Sequence, residues 1–270
     1  MSRSWAAWFL LVLTLAIGMA TGQNQAQAQP QVQERQSDLK DLVRTAGDSV
    51  VLLRLYDHAG RAVGSGTGFY VGPGLLATNH HVINRATRVG AVLRDGSEVP
   101  VEAVLAEDPV HDLALLAAPP GPLPLPLYRG RVEAGEDVAV IGSPQGLSGT
   151  LSTGIVSAVR ERGLENGELP GPLLQISAPI SQGSSGSPVM NLRGEVIGVA
   201  VAVYVTGQNL NFAVPTSKLL ELEKAIDPTG LPLRLLGSEA AAKRQVALGR
   251  NLLISVAIFA VLIVVLRRLR

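Results

Sequence analysis

Ile180–Asn191 reads ISQGSSGSPVMN, with Ser184 and Ser185 between Gly183 and Gly186 and with Pro188 closing the run. A serine hydroxyl becomes a useful nucleophile only beside a base that takes its proton, most simply a neutral imidazole that is itself oriented by an acid. Read alone, such a run is equally an ordinary turn, because Gly and Ser favour turns. All four histidines, His58, His80, His81 and His111, precede the serines. A chain order of serine, acid, histidine is therefore excluded, and no helix pattern follows Ser185, since Pro188 and a β-rich run come next. Histidine first, acid second and serine last remains open. The histidine candidates stand side by side in LLATNHHVI, residues 75–83, where an apolar strand ends in Thr-Asn. The acid candidate is Asp112 in EDPVHDLALL, residues 107–116, at the head of an apolar strand where it could be buried behind an imidazole. Each alone also reads as a polar residue at a strand end; the three in this order, on one β-rich chain, point to a single proton-relaying cluster.

The elements that would position these groups are short and β-rich. VVLLRLYD, GTGFYVG, TRVGAVLRDG, EVPVEAVLAED, DLALLAA, EDVAVIGSP, TGIVSAVRE, GEVIGVAVAVY and NLNFAVP follow one another, separated by Gly, Pro, Asp and Asn turns. Such spacing predicts antiparallel barrels or a sandwich. Arg94-Asp95-Gly96 and Leu192-Arg193-Gly194 are predicted hairpin turns. A short helix is predicted after Ser37 as N-cap, with Leu39, Leu42 and Val43 on one side, and a last one over residues 217–225, stopped by Asp227-Pro228.

The two ends differ from this middle. Residues 1–28 carry Arg3, an apolar run and Ala26-Gln27-Ala28, the small-x-small pattern of a secretory cleavage site. Residues 252–266 hold no charge, and as a helix they would cover about 22 Å of the roughly 30 Å hydrocarbon core. Arg250 and Arg267, Arg268 and Arg270 could reach the two interfaces, and the terminal RRLR is expected in the cytoplasm. The expected organisation is a signal peptide (1–28), a polar linker (29–37), one folded domain (38–226), a linker (227–248), a transmembrane helix (249–267) and a cytoplasmic tail (268–270). The folded domain would then lie outside the cytoplasmic membrane, anchored in it by a single pass.

Composition excludes several other classes. A net charge of +1 over 270 residues gives no electrostatic footprint for nucleic acid. The absence of cysteine excludes thiol nucleophiles, disulfides and cysteine-based zinc sites, and no HExxH pattern suggests a metal, so no cofactor is expected.

TNHHV, DPVHDLALL and GSSGSPV together resemble the catalytic blocks of trypsin-like serine proteases of the HtrA/Deg type. VAVIGSPQGL, TGIVSAV and GQNLNFAVP are similar to that family's connecting blocks, so the resemblance covers about residues 38–225. It implies an all-β, chymotrypsin-like fold of two six-stranded antiparallel β-barrels, with short flanking helices and the site in the cleft between the barrels. The family's Thr-x-x-His pattern falls on Thr78 to His81, its strand-leading Asp on Asp112, and its Gly-x-Ser-Gly on residues 183–186. The implied triad is His81, Asp112 and Ser185, with Gly183, Ser184 and Ser185 around an oxyanion hole. Ser187 departs from the pattern, where a second glycine is common, and so does Ser184, where Asn or Asp is common. A linker and the apolar C-terminal run stand where the family carries a PDZ domain.

The implied activity is hydrolysis of peptide bonds in unfolded or extended polypeptides through an acyl-enzyme. His81 would take the hydroxyl proton, Asp112 would hold the imidazole, and the Gly183 and Ser185 amides would converge on the oxyanion. The strand from Val199, through Ala200 and Val201, to Val205 would pair with substrate by β-addition, and Leu210, Asn211, Phe212 and Ala213, with the residues just before Ser185, would line the specificity pocket. With no acid placed to receive Lys or Arg, cleavage after small or medium aliphatic residues is expected. The resemblance also implies homo-trimers, for which no interface is legible in the sequence. The rival expectation is a catalytically silent module that binds extended peptides or scaffolds a membrane complex.

Overall fold

The structure, a computed structural model, describes residues 38–143, 149–164, 170–201 and 210–237. Residues 38–46 form helix α1, continued by a 3-10 turn at Gly47–Ser49. Fourteen strands follow. The first group is β1 (Val50–Tyr56), β2 (Ala62–Gly72), β3 (Leu75–Thr78), β4 (Arg88–Val92), β5 (Glu98–Val101), β6 (Ala103–Asp108) and β7 (Leu113–Ala117), with the one-turn helix α2 (His80–Ile83) after β3. The second group is β8 (Asp137–Gly142), β9 (Thr150–Arg160), β10 (Leu173–Ile176), β11 (Pro188–Met190), β12 (Val196–Val201) and β13 (Asn211–Pro215), then helix α3 (Thr216–Glu223) and a two-residue strand β14 (Arg234–Leu235). Ser37, the predicted N-cap, lies outside the described residues.

The second group closes as a six-stranded barrel in the order β10-β13-β12-β11-β8-β9. The first group does not form the second closed six-stranded barrel expected from the sequence. It is an eight-stranded sheet, β14-β6-β7-β3-β2-β1-β4-β5, in which β5 runs into β6 through Glu102 without pairing to it, so it forms an open, partial barrel, the first barrel of the molecule. The reason is edge occupancy. A strand has two hydrogen-bonding edges; β6 gives one to β7 and the other to β14, which pairs Arg234 with Val104 and Leu235 with Ala103. The Leu236 amide extends this pairing by donating to the Glu102 carbonyl at 2.8 Å. The first residues of the expected linker are thus part of the fold, and Leu236 is buried.

Strand alternation explains how both barrels acquire cores. Along β7, Ala114 and Leu116 point into the first barrel, among Leu53, Tyr70, Leu76 and Val104, while Leu113 and Leu115 point out of it. Along β8, Val138 and Val140 join Leu174, Ile176 and Ile197 inside the second barrel, while Ala139 and Ile141 point out. The outward residues are not left in water. They meet Phe69, Val199 and Phe212, together with Leu42 of α1 and Leu219 and Leu222 of α3, in a third cluster that draws on both barrels. Strands buried on two faces need continuous apolar runs, which is why DLALLAA and DVAVIG do not alternate with polar residues.

Both predicted hairpin turns are present. Gly96 donates to the Leu93 carbonyl between β4 and β5, and Gly194 donates to the Asn191 carbonyl between β11 and β12, each at 3.0 Å. Among the described residues no helix is long and apolar enough to cross a membrane. The expected signal peptide and transmembrane helix lie outside the described residues.

Candidate active site

The register of β3 against β7 brings the histidine and the acid together. Thr78 at the end of β3 pairs with Ala114 near the start of β7. Asp112 lies just before β7 and His81 just beyond β3, on α2, so the two meet at the same end of the ladder. One Asp112 carboxylate oxygen, Oδ1, accepts the His81 backbone N–H at 2.8 Å, and the other, Oδ2, lies 2.6 Å from the imidazole Nδ1. This two-point hold fixes both the ring and the backbone that carries it. The Asp112 side chain is 13% exposed against 45% for His81, so the acid lies behind the imidazole. Asp112 takes φ 57°, a left-handed conformation that Asp tolerates better than most residues, and Asn79 Nδ2 donates to its carbonyl at 2.9 Å. His80 is directed elsewhere: its Nε2 lies 3.9 Å from Glu107 Oε2.

The serine loop is built from two successive turns. The Ser184 N–H donates to the Ser181 carbonyl at 2.9 Å, and the Ser187 N–H donates to the Ser184 carbonyl at 3.0 Å. Gly183 (φ 94°) and Gly186 (φ 84°) supply the left-handed conformations that these turns need. At Gly186 the demand is also steric, because a Cβ would lie 2.1 Å from the Thr67 carbonyl oxygen. The loop is tied on both sides. Gly186 N–H donates to Ala200 O, Ala200 N–H donates to Ser187 O, and Thr67 N–H from the first barrel donates to Ser185 O, at 2.8–3.0 Å. Serine at 187, where the family pattern favours glycine, is accommodated with its side chain fully buried, although its hydroxyl finds no partner among the described residues.

His81 and Ser185 line one cavity of about 720 Å³, together with Gly183. Of the residues expected to bind substrate, Val201, Leu210 and Asn211 line it as well. Val199, Ala200, Phe212 and Ala213 do not; they are buried in β12 and β13. Val199 pairs with Val214 on one side and Pro188 on the other, and Ala200 lies between Ala213 and the serine loop. With both edges occupied there, an added peptide strand could start only at Val201; residues 202–205 lie outside the described residues. Ser184 differs from the oxyanion expectation too, since its amide is spent on the turn to Ser181. The Gly183 and Ser185 amides donate to no protein acceptor among the described residues.

The rest of the cavity wall combines the residues just before Ser185, which were expected there, with first-barrel residues that the sequence did not single out. Leu55, Gly64, Ser65 and Val82 form its first-barrel side, and Ile180, Ser181 and Gln182 its second-barrel side. No carboxylate is among these described lining residues. Ile180 and Gln182 flank the serine motif and were accessible by proximity; Leu55 and Gly64 had no local signal, because only the packing of β1 and β2 brings them to the cleft. A separate cavity of about 600 Å³, lined by Tyr128, Val132, Leu174 and Leu220 among others, contains none of the three candidate catalytic residues. Among the described residues no cluster of His, Asp and Glu is arranged to hold a metal ion.

Comparison with known proteins bears on this arrangement. Residues 66–199 match the trypsin-like peptidase domain family. The chain is 36% identical over 195 residues to the serine protease HTRA1A of Danio rerio, spanning 67% of this chain and 40% of the relative. It is 31% identical over 187 residues to the anti-sigma-I factor RsgI9 of Acetivibrio thermocellus, spanning 68% of this chain and 26% of that protein. The chain therefore spans well under half the length of either relative. Among solved structures, the serine endoprotease from Yersinia pestis superposes with a TM-score of 0.60 at 29% identity, covering 69% of this chain and 65% of that one. Sequence match and shared architecture agree: this chain belongs to the trypsin-like peptidases and carries a protease domain of the HtrA type.

Proposed function

We propose that this domain is a serine endopeptidase in which Ser185 attacks the scissile carbonyl, His81 takes its proton and returns it to the leaving amine, and Asp112 holds the imidazole. The observation that carries this reading is the shared cavity: His81, fixed by Asp112 at two points, and Ser185 line the same cleft beside the Gly183 amide, which donates to no acceptor among the described residues. Attack turns the carbonyl oxygen into an oxyanion, and in this reading the Gly183 and Ser185 N–H groups donate to it as it forms. The neutral tautomer needed of the base carries its proton on Nδ1, where Asp112 accepts it, leaving Nε2 for the serine. The acyl-enzyme is then hydrolysed by water through the same base.

The substrate in this reading is an extended polypeptide, entering between Leu55 and Val82 on one side and Ile180, Val201 and Leu210 on the other. An aliphatic wall with no described carboxylate favours small or medium aliphatic side chains over Lys or Arg. The cellular setting follows from the ends of the sequence: a secretory start and the uncharged run at 252–266 support a domain held by one membrane pass on the outer side of the cytoplasmic membrane. Homo-oligomers, trimers by resemblance, belong to the same reading.

A fluorophosphonate probe tests it on the detergent-solubilised full chain. The wild type should be labelled and should cleave an unfolded polypeptide. Ser185→Ala should abolish labelling and lower turnover by about 10⁵–10⁶-fold. A wild type that is neither labelled nor active would instead support the silent peptide-binding module.

A further inference from the structure

Glycine at 183 gives the serine loop the conformation it needs but provides no side chain to hold it there. At φ 94° nothing on the residue itself resists rotation of the flanking peptide planes. The restraint comes from the opposite barrel. Thr67 of β2 is completely buried, and its Oγ1 donates to the Gly183 carbonyl at 2.8 Å. The same oxygen accepts the Ser143 N–H at 3.0 Å, so the hydroxyl is used as donor and acceptor at once. Its backbone is engaged as well: Thr67 N–H donates to Ser185 O at 2.9 Å, and Thr67 O accepts from Thr78 Oγ1 at 2.7 Å.

These bonds determine which amides are left over. The peptide joining Gly183 to Ser184 is pinned at both ends, its carbonyl by Thr67 and its N–H by Ser181 O. The next peptide is pinned at its carbonyl by Ser187 N–H. The Ser185 N–H lies in the second of these planes, and the Gly183 N–H lies in the plane before them, hinged to the first at the Gly183 Cα; a turn of the first plane about that hinge would therefore change the aim of the two amides relative to one another. A glycine keeps the surroundings of Thr67 open: a Cβ at Gly186 would lie 2.1 Å from its carbonyl oxygen. As a β-branched strand residue, threonine also holds its hydroxyl in few rotamers.

We infer that Thr67 is a positioning residue for the oxyanion-binding amides, acting from the first barrel through the Gly183 carbonyl. It touches no reacting atom, and the inference rests on the endopeptidase reading above.

The test compares Thr67→Val, which keeps the shape and removes the hydroxyl, with Thr67→Ser, which keeps the hydroxyl, in the full chain in detergent. Hydrolysis of a fluorogenic peptide should show kcat for Thr67→Val reduced by about 10²–10³-fold with KM within about threefold, as expected when oxyanion donors are misaligned. Thr67→Ser should retain at least about a fifth of wild-type kcat. A Thr67→Val kcat within about threefold of wild type, or an equal loss in Thr67→Ser, overturns the inference. If Thr67→Val fails to fold, Thr67→Cys replaces it: a weak thiol donor should place kcat about tenfold or more below Thr67→Ser at similar Tm, and parity between them overturns the inference. Amide exchange over residues 181–187 supplies a readout independent of catalysis. It should be about tenfold faster in the variant lacking a strong donor than in Thr67→Ser, and equal exchange counts against the clamp. A wild type that fluorophosphonate does not label defeats the endopeptidase reading alone, and the exchange comparison still decides the clamp.

Discussion

In the first barrel His81 and Asp112 flank the ends of two neighbouring strands locked by a regular ladder, whereas in the second barrel Ser185 sits in an irregular loop between β10 and β11. The His–Asp pair is positioned chiefly by register, with local hydrogen bonds to Asp112 completing it. Four consecutive pairs from Leu75–Ala117 to Thr78–Ala114 place the end of β3 beside the head of β7, and the side chains complete the contact. The serine loop has no ladder of its own. It depends on two left-handed glycines, two turns and bonds from Thr67 and Ala200, so its geometry is borrowed from both barrels. A pair set by strand register tolerates change nearby; a loop set by close backbone approach does not.

Among the variants that test this contrast, the largest effect should come from the orienting acid of the first barrel, with its framework left intact. Asp112→Asn keeps a similar shape and lets the imidazole adopt the wrong tautomer, so kcat should fall by about 10⁴-fold with Tm nearly unchanged. A loss below about tenfold in steady-state assays would show that Asp112 does not govern the tautomer of His81.

The second barrel's dependence on close approach is tested by Gly186→Ala. The added Cβ would lie 2.1 Å from Thr67 O and 2.4 Å from Thr78 Oγ1, on a residue at φ 84°. A stability loss of about 3 kcal/mol or more is expected, lowering Tm by roughly 6–12 °C for a domain of this size. Gly60→Ala in the β1–β2 turn is the control: φ there is 76°, with nothing within 4 Å of the added atom, so only the conformational cost of about 1–2 kcal/mol should appear in thermal melts. Equal losses at the two sites would remove the contrast between loop and ladder.

The smallest effect concerns the turn that leads into Asp112. Asp108 accepts from the Val110 and His111 amides at 2.9 and 3.0 Å, and its Oδ2 lies 2.6 Å from His111 Nδ1. Partial burial pushes its carboxyl upward, but the hydrogen bonds from His111, the imidazole's charge and the Val110 amide outweigh this and hold it below the ordinary range. A carboxyl depressed on folding stabilises fully above its unfolded pKa of about 3.9, and that contribution is lost as pH falls through the lower folded value. Asp108→Asn should therefore cost about 0.5–1 kcal/mol at pH 7 by chemical denaturation, since solvent screens this partly exposed pair, and the gap to wild type should narrow as pH falls below about 4. A gap that does not narrow at all as pH falls below about 3.9 would assign the cost to lost packing.

Most strands were legible because each is a short apolar or β-branched run bounded by Gly, Pro or Asp, and burial on both faces only strengthened that signal. β14 was not legible. Arg234-Leu235 within GLPLRLLG has no strand signature, and its pairing exists because β6 has a vacant edge, a property of the assembled sheet. The same long-range contact keeps the first sheet from closing by a β5–β6 ladder. At the site, His81, Asp112 and Ser185 stood out through residue type and order, but the wall formed by Leu55, Gly64 and Val82 did not, since strand sequence does not say which residues will face a cleft.

The sequence by itself determined the chemical vocabulary of this protein: a pair of serines between two glycines, histidines and an acid ahead of them, no thiol and no HExxH motif. It also determined the β character of the chain, because alternation and turn residues act over a few positions. Tertiary structure decided which groups are free to act. Ser184 loses its amide to a turn, Val199 and Ala200 lose their edges to neighbouring strands, and Thr67 fixes a carbonyl more than a hundred residues away, 116 by sequence, across two barrels. A backbone group is available only if nothing else has taken its hydrogen bond, and that is settled when distant segments have packed together.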